Sequence, residues 1–163
     1  MIVRKYRESD DIFEMVSIWN EIVKSGKSFP QENELKIEEG KRFFSSQDYC
    51  GVALIENKIV GLYILHPNNV GRCSHICNAS YAVKEICRGL GAGEALVKDC
   101  ILQAKRLDYR VLQFNAVVST NLIARALYEK LGFKQLGVIP GGFKLDNGEY
   151  EDICPYYLNL VEE

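Results

Sequence analysis

No run of 18 or more apolar residues occurs in this chain, so no membrane-spanning helix is expected. Charge of either sign is also scarce in excess. Twenty basic residues stand against 22 acidic ones, a net charge of −2. That leaves too little positive charge for a nucleic-acid binder working by counterion release. No C-x-x-C pair occurs among the six cysteines at 50, 73, 77, 87, 100 and 154. Zinc-ribbon and dithiol redox patterns are therefore absent. Cys73, His75 and Cys77 alternate along an expected strand and would share one face, but structural zinc wants clustered pairs. The expectation is no metal, with thiols kept reduced in the cytoplasm. The first ten residues are charged and polar from Arg4 onward, unlike a secretory leader.

What is present is an ordinary globular balance: 163 residues, 47% hydrophobic and 26% charged. That is one domain's length, enough to bury a core without staples. Ile2 to Tyr6 reads as a strand, and Ser9 to Asp11 as a helix start. Ile12, Met15, Val16, Trp19, Ile22 and Val23 then recur at helical spacing up to Gly26. A second helix is expected from about Glu34 to Phe44. Val52 to Ile55 and Ile59 to Leu65 form a hairpin about Asn57-Lys58. Ser74 to Val83 is a strand, Gly93 to Leu107 a helix, Val111 to Val118 a strand and Asn121 to Leu131 a helix. Phe133 to Val138 and Asp152 to Leu160 are the last strands, joined through a turn-rich stretch from Pro140 to Gly148. The order β-α-α-β-β-β-α-β-α-β-β makes a single α/β domain, residues 1–163, with a mixed sheet.

The sharpest local signal is R-G-L-G-A-G, Arg88 to Gly93, between an expected strand and an amphipathic helix. A helix start exposes unpaired N–H groups and the positive end of the helix dipole. Glycines remove the Cβ atoms that would hold an anion away, and Arg88 adds a charge fitted to phosphate oxygens. The physical expectation is a pyrophosphate cradle from Arg88 through Gly89, Leu90, Gly91, Ala92 and Gly93 to Glu94. A nucleotide-hydrolase loop is excluded, because Glu94 and Ala95 stand where Lys and Ser/Thr are required. A dinucleotide fingerprint fits poorly, because Lys84 to Arg88 separates the glycines from the strand.

The same six residues resemble the acetyl-coenzyme A signature of the GNAT superfamily, [Q/R]-x-x-G-x-[G/A], filled by Arg88, Gly91 and Gly93. N-L-I-A-R-A-L-Y-E-K-L-G-F, Asn121 to Phe133, is similar to that family's N-x-x-A-x-x-x-Y-x-x-x-G-F block. The resemblance implies a mixed, mostly antiparallel sheet flanked by helices, with a splayed pair of central strands. It also implies acetyl-CoA as co-substrate, with Tyr81, Ala82 and Val83 pairing with the pantetheine arm through the backbone. Asn121 would hydrogen-bond the arm and Tyr128 would lie near the sulfur. H-I-C-N-A-S-Y (His75 to Tyr81) and Q-F-N-A-V-V-S-T-N (Gln113 to Asn121) resemble the subgroup that includes the yeast acetyltransferases acting on proline analogues. In that subgroup, asparagines matching Asn78 and Asn115 point into the acceptor site.

The implied reaction joins an amine to a thioester. The backbone N–H of Val83 would steady the charge gathering on the carbonyl oxygen. Tyr128 would protonate the leaving thiolate, unless its ring only packs on the sheet. Asn78 and Asn115 interrupt apolar strands, where an unpartnered amide costs about 1–3 kcal/mol. Either they orient the acceptor or they satisfy each other. The base is open among Glu32, Asp152 and a water relay. The expected acceptor is a small molecule, an amino acid or analogue, with no nucleic-acid or membrane partner and a homodimer formed through the last strands. The alternative is a non-catalytic sensor that binds acetyl-CoA.

Overall fold

The computed structural model describes residues 1–161. Among them, eight strands and four α-helices follow in the order β1 (Ile2–Lys5), α1 (Glu8–Ser25), α2 (Ile37–Ser45), β2 (Tyr49–Ile55), β3 (Lys58–Pro67), β4 (Ile76–Val83), α3 (Ala92–Arg106), β5 (Val111–Val118), α4 (Leu122–Lys130), β6 (Lys134–Gln135), β7 (Ile139–Lys144) and β8 (Tyr150–Asn159). One sheet runs β1-β2-β3-β4-β5-β8-β6, with β7 also paired to β8. Every neighbouring pair is antiparallel except β4 and β5. The mixed, mostly antiparallel sheet flanked by helices is the expected fold. No helix among the described residues is long and apolar enough to cross a membrane.

Two apolar clusters sandwich the sheet. On one face α1 and α2 bring Ile12, Met15, Trp19, Ile22 and Phe44 against Val52, Leu62 and Ile64. The Trp19 ring sits among Phe29, Phe43 and Phe44 at centroid distances of 4.5, 5.0 and 5.9 Å. On the other face α3 lays Leu96, Val97, Cys100 and Ala104 on Tyr63, Leu65, Cys77, Ala79, Leu112 and Phe114. The two-residue period of the strands assigns the faces. Cys77 and Ala79 point to the α3 side, so Asn78 and Ser80 between them point to the α1 side.

Several boundaries differ from expectation, each for a local reason. α1 starts at Glu8, ahead of Ser9, because Asp11 reaches back to accept the Arg7 N–H at 2.6 Å. Asp11 also takes both arms of the Arg4 guanidinium, at 2.7 and 3.0 Å. The β2–β3 turn is Glu56-Asn57, one residue earlier than expected, with both in the left-handed region that two-residue hairpins use. Ser74 and His75 lie outside β4, and Gly71–Cys73 forms a 3-10 turn. Cys73 is exposed and Cys77 buried, so they do not share a strand face. No group of three metal-ligand side chains occurs among the described residues. The expected strand over Phe133 to Val138 shrinks to Lys134–Gln135, while the turn-rich stretch contains β7. β7 tolerates Pro140 because it pairs only with β8, and a register irregularity between Ile139 and Phe143 absorbs Gly141 and Gly142.

Candidate active site

The site begins where the parallel pair parts. β4 and β5 each run eight residues, yet they pair only at Ile76↔Val111 and Cys77↔Leu112. Beyond that point they splay. The register on the other side of β4 says which backbone groups face the gap. Lys84 N–H donates to Val60 O at 2.9 Å and Asn68 N–H to Ile76 O at 2.8 Å. In an antiparallel ladder this alternation turns the even residues of β4 toward β3 and the odd ones away. Ala79, Tyr81 and Val83 therefore aim their N–H and C=O groups into the splay, whereas Ala82 turns its own to β3. Residue identity carries no trace of that parity, so the sequence by itself does not mark Ala79.

At the open end of the splay lies the glycine turn. Arg88 N–H donates to Glu85 O, and the next bonded amide is Ala95, which donates to Gly91 O as the first rung of α3, both at 3.1 Å. The six N–H groups between, Gly89 to Glu94, have no acceptor among the described residues. Gly89 and Gly91 hold φ of +79° and +84°. A Cβ built on either meets nothing within 4 Å, so the turn faces open space. Arg88 is exposed beside it. These donors, with the unpaired odd residues of β4, fit a diphosphate followed by an extended amide-bearing arm. The Glu94 side chain is otherwise engaged. Lys130 and Lys98 each lie 2.7 Å from it, and these bonds, Lys130 first, hold its carboxyl down at about 2. Only its N–H belongs to the cradle.

A stack of rings underlies the gap. Phe114 of β5 contacts Tyr128 of α4 and Phe133 at 4.5 and 4.7 Å between centroids, and Tyr81 of β4 stands 5.7 Å from Phe114 and 6.4 Å from Tyr128. Burial holds the Tyr128 phenol well above its ordinary range, with Cys100 and Tyr156 adding to the effect, so it remains an O–H donor. The Tyr81 hydroxyl is sealed from solvent without a conventional partner, against the weakly bonding Cys100 thiol. α4 is pinned by Arg125, which donates to the Tyr156 hydroxyl at 3.1 Å and to Ser119 O at 2.9 Å. Tyr156 in turn donates to Glu129 at 3.0 Å. Asn121 caps α4 by accepting the Ala124 N–H at 3.3 Å.

The two strand asparagines do not satisfy each other. Asn115 exchanges reciprocal amide bonds with Asn68, at 2.7 and 3.0 Å, and accepts from Gln113 at 3.1 Å. Asn78 stays half-buried on the α1 face, opposite His66. Glu32 lines a cavity of about 420 Å³ with Phe29, Phe143, Lys144 and Asp146. Asp152 accepts the Gly141 N–H at 2.9 Å, which fastens β7 rather than facing the splay.

A donor cradle at the mouth of a splayed strand pair, with a protonated phenol below it, is the layout of the coenzyme-A-dependent acyltransferase class. The family is narrower. Residues 13–133 match the family model described as the acetyltransferase (GNAT) family, and the chain belongs to it. The chain is 32% identical over 111 residues to N-acetyltransferase aca1 of Schizosaccharomyces pombe, covering 66% of this chain and 53% of that relative, about half its length. A GCN5-related N-acetyltransferase from Kribbella flavida superposes with a TM-score of 0.89 at 29% identity, covering 97% of this chain and 96% of the other. The fold is also that of yncA from Salmonella typhimurium, solved with its cofactor acetyl-CoA, at a TM-score of 0.92 and 18% identity over 100% and 95% of the two chains.

Proposed function

We propose that this chain moves the acetyl group of acetyl-CoA to the amine of a small acceptor, an amino acid or analogue. The observation that carries the reading is the run of six unengaged N–H groups, Gly89 to Glu94, at the open end of the β4–β5 splay. Acetyl-CoA supplies the activated acetyl group as a thioester. Arg88 and the six amides hold the diphosphate. Tyr81 and Val83 offer backbone partners to the arm, and the spare amide hydrogens of Asn121 offer another. The N–H that steadies charge on the carbonyl oxygen is then that of Ala79, which points into the gap beside the acceptor's Asn78, rather than that of Val83, which lies at the diphosphate end of the strand. Tyr128 keeps its proton and delivers it to the leaving sulfur. Asn78 and Asn115 orient the acceptor on the α1 face, Asn115 by exchanging its bonds to Asn68.

The chain works in the cytoplasm as a soluble protein, and the β6–β7 edge, with Leu136, Val138 and Ile139 exposed, is the surface for a homodimer. Incubation with acetyl-CoA and a panel of free amino acids, followed by assay of free thiol, tests the reading. Thiol release with at least one acceptor supports it. A second reading, a sensor that binds acetyl-CoA without turnover, is favoured by one observation: Asn115 is closed on Asn68. Calorimetric binding with no thiol released across the panel would select the sensor.

A further inference from the structure

The α1 face of the sheet gathers an uncharged polar set at the closed end of the splay. Leu65 belongs to the α3-side cluster and Ile64 to the α1-side cluster, so His66 faces the α1 side. Its cross-strand partner is Asn78, the first residue of β4 beyond the last β4–β5 pair. Directly opposed residues on one face carry Cβ atoms about 4.5–5.5 Å apart. Asn68, two residues along, holds Asn115. His66 thus stands among the amides assigned to the acceptor.

The ring's hydrogen is assigned by its partner. Nδ1 lies 2.9 Å from the Pro67 carbonyl oxygen. A carbonyl only accepts, so Nδ1 carries the hydrogen and donates it. In the neutral ring Nε2 then keeps a lone pair, with no partner among the described residues. Imidazole so fixed is a positioned proton acceptor.

We infer that His66 is the general base that deprotonates the acceptor's ammonium group. The inference rests on the amine-acetylation reading above. An α-amino acid held by its carboxylate at Asn78 carries its nitrogen two bonds from the carboxylate carbon, within reach of the neighbouring ring directly or through one water. One N–H bond of the ammonium breaks, and its electron pair remains on nitrogen as the nucleophilic lone pair. The proton passes to Nε2. His66 becomes an imidazolium with Nδ1–H still on Pro67, then loses a proton to solvent at its half-exposed edge. Neither acid considered from sequence is so placed: Glu32 lines the cavity beside β7 and Asp152 fastens Gly141.

Long-range proton–nitrogen NMR tests the arrangement without turnover. The chain has two histidines, and the spectrum of His75→Gln assigns His66. The neutral ring of wild-type His66 is expected as the Nδ1–H tautomer. Its Nε2 signal is expected to move when glycine, L-proline or L-glutamate is added to CoA-saturated protein, for whichever one is acetylated. His66→Gln is expected to lower kcat for that acceptor about 100-fold or more, with CoA affinity by calorimetry unchanged. An Nε2–H tautomer in the wild type overturns the inference, and that arm stands even if His66→Gln fails to fold. So does an undiminished kcat in folded His66→Gln. A wild type that acetylates nothing overturns the amine-acetylation reading together with this inference. A wild type that turns over, matched by His66→Gln, overturns this inference alone.

Discussion

Gly91 and Gly93 sit two residues apart in the cradle, and alanine at each should do opposite things. Gly91 caps α3 with φ of +84°. Space is open around it, so Gly91→Ala suffers backbone strain rather than collision, about 1–2 kcal/mol for an L-residue held left-handed. In a chain of this length each kcal/mol moves the melting midpoint by about 2–4 °C, so a fall of about 2–8 °C follows. The turn relaxes to shed part of that strain, and the amides of Gly89 to Ala92 then lose their common aim. One charge-assisted N–H bond lost is about 1.5–3 kcal/mol, or about 10- to 100-fold in CoA affinity. Gly93 lies within the first turn of α3, and a Cβ there makes an ordinary 3.7 Å contact with Leu127 Cδ2. Gly93→Ala should gain about 0.5–1 kcal/mol from the stiffer chain and keep CoA affinity within about two-fold. Thermal melts and calorimetry with CoA on both variants supply the comparison. Normal CoA binding by Gly91→Ala, or a loss in Gly93→Ala as deep as in Gly91→Ala, would refute the cradle geometry.

Three further outcomes are expected. Tyr128→Phe should lower kcat about 100-fold or more as a lost general acid while the melting midpoint holds. Because burial raises the Tyr128 pKa, the wild-type rate should show no fall from its ionisation up to about pH 10, the ordinary tyrosine value; steady-state thiol release against pH checks both. Asp11 is pushed upward by burial, but the Arg4 guanidinium and the Arg7 N–H outweigh that and leave it below the usual carboxylate range. Its stabilisation is therefore complete above about pH 4 and lost as pH falls through the lower folded-state value. Asp11→Ala should cost up to about 3–5 kcal/mol at neutral pH, an effect that urea melts show shrinking in acid. Burial pushes the Cys50 and Cys77 thiols up to about 12 and raises Cys100 as well. Ellman's reagent should thus titrate exposed Cys73 and then Cys87 in the native protein, and the remaining four only in denaturant.

The helices and interior strands could be read from the sequence because one local rule governs each. Trp19 and its partners repeat at helical spacing, and Val111 to Val118 is where the β-rich run placed it. β7 escaped because Pro140, Gly141 and Gly142 look like a turn, and only pairing with β8 makes them a strand. The glycine turn was legible as an anion site because helix ends and glycine act locally. The splay came from the family resemblance, since no pattern within β4 or β5 says that their pairing stops at Cys77 and Leu112. The parity that turns Val83 into the gap and Ala82 away depends on the β3 register. The Asn68–Asn115 bond joins residues 47 apart, and Asn68 reads alone as a turn residue.

The most direct test is a crystal structure with acetyl-CoA. It should show the diphosphate oxygens within hydrogen-bond distance of the amides from Gly89 to Glu94, and the arm bonded to the odd residues of β4. A diphosphate bound elsewhere, or an arm that leaves the β4–β5 gap empty, would contradict the account.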